Sequence, residues 1–178
     1  ARLHVARGGG GVLTQVELRA IEPRDLEALL GWRNALRATG TVRQWRHIAY
    51  TDHHEWYEAI RHDREHIMRA VFSDSALVGV VGLTYVDWVR RRAEASIYIG
   101  DADARGHGLG YAALAALLDY GLGEVNLHRV YAEIFAFNAA SIKLFESQGF
   151  MQEGVLREHH FHDGRWHDSY LYGLLQHE

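Results

Sequence analysis

The chain has 178 residues, 48% hydrophobic and 24% charged, with a formal net charge of −4; this suits one globular domain with a full core and argues against a nucleic-acid backbone as partner. It contains no cysteine, which removes disulfides and any acyl-cysteine intermediate. Its apolar runs are too short for a signal-peptide core near the start or for a bilayer span, so a cytoplasmic protein with no membrane partner is expected.

Residues 1–11 end in a run of glycines and read as a flexible tail, which leaves residues 12–178 as a single domain. Residues 15–21 alternate Val16, Leu18 and Ala20 with polar neighbours, a strand pattern. Pro23 then opens a helix with Leu26, Leu29, Leu30 and Arg33 at helical spacing. Asp52 and Glu55 form a capping-box pair expected to start a second helix, with Trp56 and Ile60 on one face. Residues 68–72 and 77–86 read as strands, residues 89–92 as a charged hairpin connection, and residues 94–100 as the strand that follows.

That strand runs into Arg105-Gly106-His107-Gly108-Leu109-Gly110-Tyr111, and a helix pattern begins at Tyr111. Glycines after a strand and before a helix make a cradle for phosphate. The backbone can approach the ligand without a Cβ in the way, and the first helical N–H groups point at the anion. Arg105 adds a fork of donors suited to phosphate oxygens. A Walker loop would need a lysine that Lys143, the sole lysine, cannot supply, and the dinucleotide fingerprint has a different glycine spacing. Arg105-x-x-Gly108-x-Gly110 fits the pattern [RQ]-x-x-G-x-[GA], in which a coenzyme pyrophosphate is held. The alternative is an ordinary glycine-rich turn.

The helix after the loop carries Leu109, Ala113, Ala116, Leu117 and Tyr120 on one stripe, with Gly121 and Gly123 expected to end it. Residues 129–137 read as a strand. Asn138 is a good N-cap for the next helix, and Gly149 a natural residue just past its end. Residues 152–162 and 165–175 alternate around Asp163-Gly164, a hairpin signal. The order β, α, α, β, β, β, α, β, α, β, β predicts a mixed α/β layer fold.

The loop and the later run Asn138-x-x-Ser141-x-x-Leu144-Phe145-x-x-x-Gly149-Phe150 together resemble the GCN5-related N-acetyltransferase (GNAT) family, over roughly residues 14–175. Trp32-Arg33-Asn34 is similar to its RimJ/RimL-like subgroup, and the run from Glu153 to Asp168 looks most like members that act on nucleotide-linked amino sugars, with Arg43-Gln44-Trp45 pointing the same way. The resemblance implies a mixed, mostly antiparallel sheet of about seven strands with helices on both faces, and two parallel strands that splay to receive the coenzyme. It implies acetyl-CoA as co-substrate and a small-molecule amine as partner. Thirteen histidines invite a metal reading, with His62 and His66 four apart, on one face if the helix persists, and His159, His160, His162 and His167 crowding the final hairpin. Zinc sites want defined spacings with cysteine or acidic partners, so no metal is expected and surface histidines on the hairpin are the simpler account. An amino sugar is the first candidate acceptor. A protein N-terminus, such as that of a ribosomal protein, and a polyamine are alternatives. Family members often pair, which implies a homodimer.

By the same resemblance the pyrophosphate lies on Arg105, Gly106, His107, Gly108, Leu109, Gly110 and Tyr111. The pantetheine arm lies along Ile99 and Gly100, with Asn138 and Lys143 nearby; Lys143 reads equally well as a solvated helix residue. Trp32, Arg33, Asn34 and Tyr98 would wall the acceptor pocket, although plain packing explains any single tryptophan equally well. Amide formation needs a base for the amine and donors for the oxyanion. Glu94, which shares a strand face with Ser96 and Tyr98, is the first candidate base and Glu133 the second. Glu94 could instead pair with the arginines at 90–92. The tyrosine that often protonates the departing thiolate in this family is Phe145 here, which leaves Ser141, Tyr111 or water for that role. The missing hydroxyl also admits a non-catalytic acyl-CoA-binding module.

Overall fold

Val16 and Leu18 are both fully buried and lie two residues apart on one face of a strand, β2 (Gln15–Ala20). The structure, a computed structural model, describes residues 3–6 and 15–178. Along the chain β2 is followed by a short 3-10 turn at Pro23–Asp25, then α1 (Leu26–Arg37), α2 (Tyr50–His62), β3 (Ile67–Ser73), β4 (Ala76–Asp87) and β5 (Arg92–Ile99). Next come α3 (Leu109–Leu118), β6 (Arg129–Phe135), α4 (Ala139–Ser147), β7 (Met151–His162) and β8 (Arg165–Leu175). Within the segment expected to be a tail, residues 3–6 form a further strand, β1 (Leu3–Ala6), antiparallel to β2, and the rest of that segment lies outside the described residues.

The strands form one sheet in the order β1-β2-β3-β4-β5-β6-β8-β7. Every pairing is antiparallel except β5 with β6. One sheet face packs on α3, whose Leu114 and Leu117 are fully buried with Leu83, Val130 and Tyr172. The other face carries α1 and α2, with Leu29 and Tyr57 against Ala70 and Val80. A helix on each face covers the central strands, and this explains their near-continuous apolar runs.

Two local expectations give way to tertiary context. The second helix begins at Tyr50 after an extended Ala49, so Asp52 falls inside its first turn and is not the cap. Gly121 and Gly123 do not end the helical path: after α3 it widens into a π-helical turn at Asp119–Glu124. Gly121 is buried there at the closest approach to Leu83, where a Cβ would sit 3.0 Å from Leu83 Cδ1. Other expectations match. Asn138 caps α4 by accepting the Ser141 N–H at 3.2 Å, and Asp163 and Gly164 both have positive φ at the hairpin tip.

Candidate active site

The site starts where β5 and β6 part. Their parallel ladder runs only from Arg92 opposite Arg129 to Glu94 opposite Tyr131. Beyond it β5 stays bonded to β4 on its other side, with Tyr98 opposite Val80 and the Gly100 N–H donating to the Val78 carbonyl at 2.9 Å. Antiparallel alternation therefore turns the main-chain groups of Ile97 and Ile99 toward the gap. Gly100 does not offer the free edge expected of it, since its N–H is held by Val78 and its carbonyl by Arg105.

The glycine loop lies at the C-terminal end of β5. Gly106 and Gly108 have φ of +79° and +77°, and nothing lies within 4 Å of the space a Gly106 side chain would fill. Gly108 is the N-cap of α3, and its carbonyl accepts the first intrahelical bond, from Ala112. The N–H groups of Leu109, Gly110 and Tyr111 precede that bond and have no acceptor within the helix. Gly110 sits between Ile99 and Leu144, so β5, α3 and α4 meet at this point. Gln148 ties α4 to α3 by donating to the Tyr111 carbonyl at 3.1 Å. The Arg105 guanidinium turns inward, donating to the carbonyls of Ile99 at 2.9 Å and Gly100 at 3.1 Å; it anchors the strand end beside the cradle. His107 and Lys143 are exposed on the rim.

Between the splayed strands is a cleft of about 290 Å³. It brings together Glu94 and Tyr98 of β5, Glu133 of β6, Asn138 and Ser141 at the start of α4, and Arg33 of α1. Glu94 is buried and does not pair with the arginines at 90–92. Its partner is Arg43, from the segment between α1 and α2: one nitrogen donates to Glu94 Oε2 at 3.3 Å, and the other bonds Glu94 Oε1 and lies 3.5 Å from Glu133 Oε2. One guanidinium thus bridges both candidate bases. Its hydrogen bond with Glu94 raises the Arg43 pKa against the opposing effect of burial. Glu133 Oε1 lies 3.6 Å from His159. Phe145 is buried against Phe150 and offers the cleft a ring with no proton to give.

Trp32 and Asn34 do not line the cleft. The Trp32 ring lies so close to Gly100 that a Cβ there would collide with it, which makes Trp32 a packing residue at the strand end. Asn34 organises the loop after α1: its Oδ1 accepts the Ile48 N–H at 2.8 Å and its Nδ2 donates to the Ile48 carbonyl at 3.0 Å. Trp45 is 84% exposed and belongs to neither the core nor the site. His62 and His66 share no helical face, because α2 ends at His62. Of the hairpin histidines, His159 is an exposed surface residue as expected, and the other three are partly buried. His160 stacks on Phe135 at 3.9 Å between ring centroids, and His162 and His167 pack on Phe137. Sequence reasoning missed Arg43 and Tyr85 as lining residues. Arg43 drew notice only as part of Arg43-Gln44-Trp45, while Tyr85, with a φ of +53° at a bulge in β4, has no local pattern to mark it.

The chain matches the acetyltransferase (GNAT) domain family over residues 15–151. It is 29% identical to the spermidine N(1)-acetyltransferase of Vibrio cholerae, over 92% of this chain and 94% of that protein. It is 28% identical to the spermidine N(1)-acetyltransferase of Escherichia coli K12, over 92% and 87%. Among solved structures it is similar to spermidine N-acetyltransferase from Vibrio cholerae in complex with CoA and spermine, with a TM-score of 0.86 and 28% identity over 91% of this chain and 96% of that one.

Proposed function

The chain belongs to the acetyltransferase (GNAT) domain family and is an N-acetyltransferase, and from that premise we propose that the cleft between β5 and β6 is where the primary amine of a small molecule is acetylated. Acetyl-CoA is the co-substrate; when bound it supplies an acetyl group already activated as a thioester. The cradle of Gly106, Gly108 and the first N–H groups of α3 fits its pyrophosphate, because the space beyond Gly106 is open and the amides have no helical acceptor.

The carrying observation is the meeting of Glu94, Glu133 and Ser141 in one cleft at the point where the β5–β6 ladder stops. Glu94 accepts the proton of the incoming amine, whose ammonium takes the place of Arg43 at the carboxylate. The Ile97 and Ile99 N–H groups face the gap, where they can donate to a carbonyl oxygen that gains charge. The Ser141 hydroxyl holds a proton at the α4 end, where Phe145 holds none. Proximity of amine and acyl carbon in this gap supplies much of the rate.

A spermidine acceptor is the second reading, favoured by likeness to the Vibrio cholerae enzyme. The amino-sugar acceptor suggested by the C-terminal run finds no counterpart among the relatives named above. Release of free thiol from acetyl-CoA, followed over a panel of amino sugars, polyamines, amino acids and peptides, tests the reading. Turnover with at least one small amine is expected; thiol release with peptides alone, or with no amine at all, overturns it.

A further inference from the structure

Arg33 is half-buried at the end of the second turn of α1, and its Nε donates to Gln44 Oε1 at 3.2 Å. Among the described residues no carboxylate lies within 4.0 Å of its guanidinium, although every other arginine at the cleft has one. Arg33 lines the transfer cleft and also a second cavity of about 190 Å³ that shares Tyr98 with it. His53 and Trp56 of α2 wall this cavity, Met68 and Val80 floor it, and Arg46 and Asp52 stand at its side. His53 is only 4% exposed, packs on Trp56 at 5.0 Å, and has no hydrogen bond to either ring nitrogen among the described residues. The Tyr98 hydroxyl also has none. Arg46 reaches Asp52 only at 3.9 Å.

Arg33 is only half-buried, so water still reaches it, but a cation with no counter-ion and donors with no acceptor in the protein suit a ligand that supplies both. Here one uncompensated cation and two unpartnered polar side chains converge on one cavity beside the transfer point. A guanidinium fork, an imidazole and a phenol form a set that a carboxylate or a phosphate satisfies together. We infer that this cavity is a subsite for an oxyanion carried by the acceptor itself, so that the amine lies near Glu94 and the carboxylate or phosphate lies against Arg33, His53 and Tyr98. The inference rests on the acetyl-transfer reading of the adjoining cleft and narrows its substrate class. Glu94 and Tyr98 are four residues apart on one strand face, roughly 13 Å between Cα atoms. This spacing suits an acceptor with several atoms between its two ends. A polycation would place a positive charge against Arg33, and Asp52, the one carboxylate among the described residues lining this cavity, already faces Arg46 at 3.9 Å.

The test compares aminohexanoate, aminohexyl phosphate, hexylamine and spermidine as acceptors, with calorimetric binding of the first two to the same protein. Expected is a kcat/KM for at least one oxyanion-bearing amine about tenfold or more above hexylamine, carried mainly by KM. The carboxylate and phosphate arms show which oxyanion is preferred. In Arg33→Gln that ratio falls toward unity, and Arg33→Lys restores part of it, which separates loss of charge from loss of fold. Equal kcat/KM for hexylamine and both oxyanion-bearing amines, a preference for spermidine, or an unchanged ratio in Arg33→Gln overturns the inference. If no amine is acetylated but the oxyanion-bearing amines bind and Arg33→Gln abolishes that binding, the subsite stands and the transfer reading fails. If neither of them binds nor reacts, the subsite fails.

Discussion

At the scale of single residues, the chemistry depends on how Arg43 and Glu94 share a hydrogen bond. A carboxylate bound to a guanidinium is fixed in place. It serves as a base once an ammonium replaces the arginine as its partner. Glu94→Gln keeps the shape and the hydrogen-bonding capacity but cannot take the proton. It is expected to lower kcat by roughly a hundredfold or more, in the range typical of a lost general base, with acetyl-CoA affinity nearly unchanged. Glu133→Gln should cost less, because Glu133 is the more exposed of the two and meets Arg43 only at 3.5 Å. Steady-state thiol release measures both, and a Glu94→Gln enzyme with normal kcat would remove Glu94 from its role. Arg43 and Glu94 are 51 positions apart, so only the fold reveals the pair, and the sequence pointed to the nearer arginines at 90–92.

At the scale of elements, the site works because rigid pieces end where the coenzyme is needed. β5 loses its parallel partner after Glu94, α3 begins at a left-handed Gly108, and α4 begins at Asn138 on the opposite side of the gap. The last two starts are local events with a local cause, glycine conformation in one and side-chain capping in the other. α3 opens at Leu109, two residues before the Tyr111 expected of it, while the Asn138 start of α4 was legible in the sequence. The start of α2 was not, since Ala49 simply turns from extended to helical geometry without a side-chain cap. Asn138 has two tasks, capping α4 and lining the cleft. Asn138→Ala is expected to cost about 1 kcal/mol, a fall in Tm of roughly 2–4 °C for a chain of this size. It should also lower kcat/KM. Asn138→Ser should recover the thermal midpoint, because serine caps comparably, and scanning calorimetry distinguishes the two.

At the scale of the whole molecule, alternation and helical periodicity carried the order of elements from β2 to β8. The pairing of β1 with β2 and the contact of Trp32 with Gly100 depend on non-local approach and left no mark in any window of sequence. Global stability also carries a pH signature. His53 has its pKa lowered by burial and by the nearby Arg33, and His160 has its pKa lowered by burial and by His162 and His167. The unfolded chain binds these protons first as pH falls below about 6.5. Stability is therefore complete above that value and declines as pH drops through the folded-state pKa values. Thermal midpoints from neutral to mildly acidic pH should show this decline, with a shallower slope in His53→Gln; an unchanged slope in that variant would remove His53 as a contributor.

The glycine cradle at the start of α3 admits the most direct measurement, a calorimetric titration of acetyl-CoA into the wild-type protein and into Gly108→Val. A valine at a φ of +77° is strained and puts a branched side chain at the N-cap of α3, next to the free amides. Saturable binding to the wild type, weakened about tenfold or more in a variant that stays folded, is the expected result. Equal affinity in the two proteins, or no heat of binding in either, would contradict the assignment of this loop as the coenzyme site.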